Sequence, residues 1–309
     1  MRVVAALLGL ALAIGGPAEA QQLEFRNTVR SGELRLSYRW RDQAGREVAT
    51  AFNLSRDMVR EAEASFADFS LEGMWRAIEA ELQDEVNRYG RNARISFIRS
   101  TNTLAWTLET RDNATANELN KRLVERRLAA RTAYLARHLR HQIGDFVIID
   151  FAAAARVLKE PMRAVTRALA EDREVANTDR ARVARALAFF QAIPYARLDP
   201  TQRQGGDFLA APALLAQNRG DCDSKAAALA AVLQSYVPSR KIAAITMPGH
   251  AILAVDLSPE PGERTVRTPG RTLVALEVAG PHLSPIGQVA PLTDRMLAAG
   301  RDVEVWPLN

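Results

Sequence analysis

One cysteine, Cys222, stands in a chain of 309 residues, so no internal disulfide can hold this fold together. A hydrophobic core has to do that work. With 48% hydrophobic and 25% charged residues the chain has the means, and its balance is near the globular average. This excludes wholesale disorder, a collagenous repeat and a multi-span membrane protein. The length allows about two domains. A net charge of +5 and a pI near 9.7 make the surface mildly basic, an excess too small to indicate nucleic-acid binding. With four histidines and one cysteine, no metal cluster is expected, and no cofactor site is read in the sequence.

The first twenty residues read as a sorting address. Arg2 precedes an apolar run from Val3 to Ile14, then Gly15-Gly16-Pro17 and the small-x-small end Ala18-Glu19-Ala20. This is the pattern of a cleaved secretory signal peptide, and the run falls short of the roughly 20 apolar residues of a spanning helix. Residues 1–20 are therefore expected to leave, giving a periplasmic or secreted protein with no transmembrane segment. Exported proteins usually pair their cysteines, so a lone Cys222 is either an inert buried thiol or a working one.

Leu34, Leu36, Tyr38 and Trp40 alternate with polar residues, the period-2 signal of a strand, and Asp42 to Gly45 form a turn into a second strand over Glu47–Phe52. Helical spacing predicts a helix from Leu71 to Tyr89, followed by strands over Arg94–Ile98 and Leu104–Leu108. A long basic helix is read from Thr115 to Gln142, with Leu119, Leu123, Val124, Leu128, Leu135 and Leu139 as its buried stripe. Its arginines suggest weak contact with an anionic surface, though a solvated face is the blander account. His138 and His141 read as surface residues. Asp145–Phe151 is a strand, and helices follow over Ala152–Leu158, Pro161–Ala170 and Thr178–Ala192. An α+β N-terminal domain, residues 21–150, and a second domain, residues 151–309, are expected.

The chemistry lies in the second half. Gly220-Asp221 is a turn and helix cap, and an Ala-rich helix runs on to Tyr236, so Cys222 falls in its first turn. Unpaired backbone N–H groups there favour a thiolate, while Asp221 and Asp223 oppose it, so a basic partner is required. Ile242–Met247, His250–Asp256 and Thr272–Val278 read as strands. If the last two pair as an antiparallel hairpin about the Pro/Gly-rich connection centred near Arg264, His250 lies nearly opposite Glu277 on one face. A carboxylate so placed would accept the imidazole N–H and fix its tautomer. Asp256 lies too far along the His250 strand to compete, and His282 sits in a loop.

The run Gly220-Asp221-Cys222-Asp223-Ser224-Lys225-Ala226, then Gly249-His250-Ala251 and Leu276-Glu277, resembles the transglutaminase-like superfamily. Gln191-Ala192-Ile193-Pro194-Tyr195 and Ala211-Pro212-Ala213-Leu214-Leu215 resemble its exported bacterial members. The resemblance covers about residues 180–287. It implies a papain-like core in which a nucleophile helix packs on an antiparallel sheet. It also implies a catalytic triad of Cys222 as nucleophile, His250 as general base and acid, and Glu277 as the orienting carboxylate. Many members carry Asp at the third position; Glu is longer by about 1.5 Å of carbon–carbon reach. Gln191 is a candidate oxyanion donor and Tyr195 a candidate wall of the cleft. The expected chemistry is acyl transfer on amide bonds through a thioester, with hydrolysis ahead of cross-linking, on a protein or peptide substrate of the cell envelope. An inactive module of the same fold that binds an envelope protein or peptidoglycan is the alternative.

Overall fold

The computed structural model describes residues 21–309, except 68, 101–102, 145, 173–174, 199–207 and 281. The expected leader, residues 1–20, lies outside the described residues. The architecture is mixed α+β with antiparallel sheets.

Strands β1 (Gln22–Arg30), β2 (Glu33–Arg41) and β3 (Glu47–Ser55) make a meander. The alternation in β2 places Leu34, Leu36, Tyr38 and Trp40 on the buried face. Asp42 builds the following turn by accepting hydrogen bonds from the backbone N–H groups of Ala44 and Arg46. Helix α1 (Arg56–Ala67) then covers part of the sheet.

Next come α2 (Leu71–Asn87), β4 (Ala93–Arg99), β5 (Leu104–Thr110) and α3 (Asn113–Arg137), which bury a separate cluster that includes Ile78, Leu82, Leu119 and Leu123. Ser70 and Asp112 cap the two helices by accepting from Gly73 N and Thr115 N. Helix α3 ends earlier than its spacing predicts. Leu139 takes a left-handed φ of 53°, and β6 (Arg140–Ile143) pairs with β7 (Phe146–Ile149) instead. Two residues of the expected buried stripe face out, Val124 and Leu128. Several of its cations are engaged within the protein: Arg122 and Arg126 approach the buried Glu85 of α2, and Arg127 lies over the Trp106 ring. His138 and His141, expected at the surface, are half-buried, packed at a tilt of 40° against Tyr134 and Trp306 with ring centroids 4.3 Å apart in each case.

Helices α4 (Phe151–Lys159), α5 (Arg163–Ala170), α6 (Asp179–Ala192) and α7 (Ala211–Gln217) surround α8 (Cys222–Tyr236), whose alanines allow close approach on every side. A five-stranded sheet lies against α8, with β8 (Ile242–Met247), β9 (His250–Val255), β10 (Thr265–Thr268), β11 (Arg271–Leu276) and β12 (Glu304–Pro307) in the order β10-β11-β9-β8-β12. Between β11 and β12 runs α9 (Pro291–Ala299). The Pro/Gly-rich connection is thus not a plain hairpin loop, because it carries the edge strand β10.

The largest core joins Leu36, Tyr38, Trp40, Phe52 and Phe66 with Phe189, Phe190, Leu229 and Val274. The expected boundary near residue 150 therefore cuts through a shared core. Tyr38 Oη donates to Leu215 O at 2.7 Å, and buried Arg185 reaches Asp172 at 3.0 Å and Asp42 at 3.9 Å, so polar ties follow the apolar ones.

Candidate active site

The site forms where the head of α8 meets the start of β9. Asp221 caps α8 by accepting from Ser224 N at 2.9 Å, which fixes Cys222 as the first helical residue. The segment before it is held in turn: Gly220 N donates to Pro194 O and Ala196 N donates to Gly220 O, a short parallel bridge that sets Tyr195 alongside. The backbone N–H of Ala251, the residue after His250, donates to the Cys222 sulfur, which puts the thiol at the first residues of β9.

Strand parity brings His250 and Glu277 together. Leu276 pairs with Leu253, so Glu277, just past the end of β11, continues opposite Ile252, and His250 is its diagonal neighbour on the same face. Across that diagonal His250 Nε2 and Glu277 Oε1 are 2.9 Å apart. The longer glutamate spans it, where an opposed pair would have needed less reach. The other oxygen of Glu277 accepts from Thr293 Oγ1 at 2.8 Å and from Ala290 N at 3.4 Å, at the N-terminus of α9. Burial alone would push the Glu277 carboxyl up; His250, Thr293 and the Ala290 N–H outweigh it and hold the group below the usual carboxylate range. Nothing in the local sequence marks Thr293 as a partner. Its signal is only Pro291, which starts the helix on which it sits.

The thiol itself is in a less favourable setting. Cys222 is only 8% exposed, and its Sγ lies 3.4 Å from Asp223 Oδ1, to which the thiol donates. Burial pushes the Cys222 thiol well up, and the carboxylates of Asp223 and Asp221 push the same way. Burial and the neighbouring Asp223 also raise Asp221, to about 7, and burial raises Asp223 against the opposing charges of His250 and Arg140. The phenol of Tyr195 is pushed up to about 12, first by partial burial and then by charge on Cys222, Asp221 and Asp223, so it stays an O–H donor at neutral pH.

Gln191 takes a different place from the one its sequence position suggests. Its Nε2 donates to Glu277 O at 2.5 Å and to Ser284 O at 2.9 Å, which commits both amide hydrogens and leaves none for an oxyanion. Asp256 is engaged with Arg271, and His282 is exposed. Among the described residues, no group of three or more His, Cys, Asp or Glu side chains is arranged to hold a metal ion, and no helix is long and apolar enough to cross a membrane. Comparison of the chain with protein-family models, curated proteins and solved structures finds no match.

Proposed function

We propose that the protein is an exported cysteine acyl-transfer enzyme of transglutaminase-like, papain-type architecture, acting on amide bonds of envelope proteins or peptides. The observation that carries this reading is the 2.9 Å His250–Glu277 hydrogen bond on the sheet face that meets the Cys222 end of α8. With Nε2 committed to the carboxylate, Nδ1 is the nitrogen left to take the thiol proton.

In the forward reaction that nitrogen accepts the Cys222 proton as sulfur bonds to the amide carbonyl carbon. The carbonyl oxygen becomes an oxyanion, for which the Cys222 backbone N–H in the first turn of α8 is the candidate donor. Collapse breaks the C–N bond while the imidazolium gives its proton to the departing amine, leaving a thioester. Water, deprotonated by the same nitrogen, then attacks the thioester and releases acid and thiol. An amine in place of water would give cross-linking; hydrolysis is favoured because no separate amine site is read in the sequence.

A second reading, a non-catalytic binding module, is favoured by one observation: the thiol is buried and its pKa is driven up. Iodoacetamide alkylation of Cys222 across pH separates the two. The enzyme reading expects an apparent pKa below the free-thiol value of about 8.5, with the fast rate lost in His250→Ala. A slow rate titrating at or above that value, indifferent to His250, would retire the triad and leave the module.

A further inference from the structure

The chemistry above gives no role to a buried ionisable side chain on the helix that carries the thiol. Lys225 stands three residues after Cys222 on α8 and has no exposed surface. Its Nζ donates to Ile193 O at 2.5 Å and to Ala279 O at 2.7 Å. A lysine is expensive to bury, and an apolar residue would suit the surroundings of α8 better. The two carbonyls explain what is gained. Ile193 closes α6 two residues before Tyr195, and Ala279 lies two residues beyond Glu277.

Two further contacts converge on the same joint. The Gln191 amide donates to Glu277 O and Ser284 O, so the segment carrying Glu277 is tied at three backbone oxygens by two buried side chains. Gly280 closes the approach: its φ is +64°, and a Cβ there would stand 2.6 Å from Gln191 O and 3.5 Å from Nζ. Burial lowers the lysine to about 7, with Asp221 and Cys222 acting against that fall. Amine and ammonium each have hydrogens enough for both carbonyls, so the tie survives either state.

We infer that Lys225 is a positioning residue that locks the Glu277 segment to the nucleophile helix, and so sets the spacing between Cys222 and the His250–Glu277 pair. The inference rests on the triad reading above. In its charged form the same group also interacts favourably with charge on Asp221 and Cys222.

The test uses the full chain with Lys225→Met and Gly280→Ala. It reads Cys222 alkylation against pH and hydrogen–deuterium exchange over residues 277–284. Lys225→Met is expected to keep a cooperative melt, to speed exchange in that segment, and to raise the apparent thiol pKa by about one unit, which is about tenfold slower alkylation at neutral pH. Gly280→Ala disturbs the joint with the lysine intact, and is expected to shift both readouts the same way by less. It carries the test alone if Lys225→Met does not fold. Unchanged exchange, or an unchanged alkylation profile, in the variants that fold would overturn the inference. Failure of the triad reading looks different: wild type and His250→Ala would then share one slow profile before Lys225 is altered, and the inference would fall with it.

Discussion

At the scale of single residues, the site is a contest between burial and hydrogen bonding, and two of its carboxylates resolve it in opposite directions. Glu277 is held ionised by His250, Thr293 and the Ala290 N–H. A carboxyl lowered in the folded state adds stability that is present above its ordinary value of 4.5 and is lost as pH falls through the lower folded value. Glu277→Gln should therefore flatten the acid limb of a stability-against-pH curve from urea melts and, on the proposed function, should cut acyl transfer by at least about a hundredfold through the wrong imidazole tautomer. Asp221 is the reverse case. Its carboxyl is raised from 3.8 to about 7, so it lowers stability progressively as pH rises between those values and does so fully above them. Asp221→Asn keeps an acceptor for the Ser224 N–H. It is expected to be more stable than wild type at neutral pH, with the advantage vanishing near pH 4, and to alkylate faster at Cys222. A melt series with the opposite trend would show that the cap charge, and not its burial, dominates.

At the scale of elements, the sequence carries more than it hides, and the division has a physical cause. Alternation in β2 and the parity of β9 and β11 are period-2 facts, so the face on which His250 meets Glu277 follows from strand geometry even though the pair is diagonal rather than opposed. The head of α8 is readable because Asp221 is both cap and motif. What escapes is long-range or unpatterned. Strand β10 hides in a stretch rich in proline and glycine; α9 and β12 are short; and α3 ends at Arg137, before a left-handed turn at Leu139 that helical spacing cannot foresee. The roles of Gln191 and Lys225 are invisible for the same reason, since their partners lie 86 and 54 residues away. One joint between elements is tight enough to test. A Cβ on Gly220 would sit 2.6 Å from Leu214 Cδ1 and 3.4 Å from Lys225 Cγ, where α7 meets α8. Gly220→Ala should cost about 1–3 kcal/mol as an overpacked contact. Because it displaces the segment next to Cys222, it should also slow alkylation more than an equally destabilising change in β4 or β5. Equal effects would mean that the joint is not communicated to the thiol.

At the scale of the whole molecule, the N-terminal meander and α8 are parts of one hydrophobic body, while the α2–β4–β5–α3 unit and one face of the five-stranded sheet bury clusters of their own. Phe189 is the hinge of that sharing, in edge contact with Tyr38, Trp40 and Phe52. Phe189→Ala is expected to cost about 3–5 kcal/mol and to lower one thermal transition that β1–β3 and the site share. A chain beginning at residue 151 should fail to melt cooperatively; a sharp transition from that fragment would show two independent units instead.

The shared core also sets an order of events during synthesis. The first three strands leave the ribosome with Leu36, Tyr38 and Trp40 on one face, and the aromatic residues that cover them come only with α6, far along the message. Glu277 in turn waits for Thr293, and β8 waits for β12. Pairings so distant in sequence make folding slow and leave apolar strands open while translation proceeds. The nascent chain should therefore stay protease-sensitive until β12 is made; ribosome-bound intermediates truncated before residue 290 and probed by pulse proteolysis would reveal it.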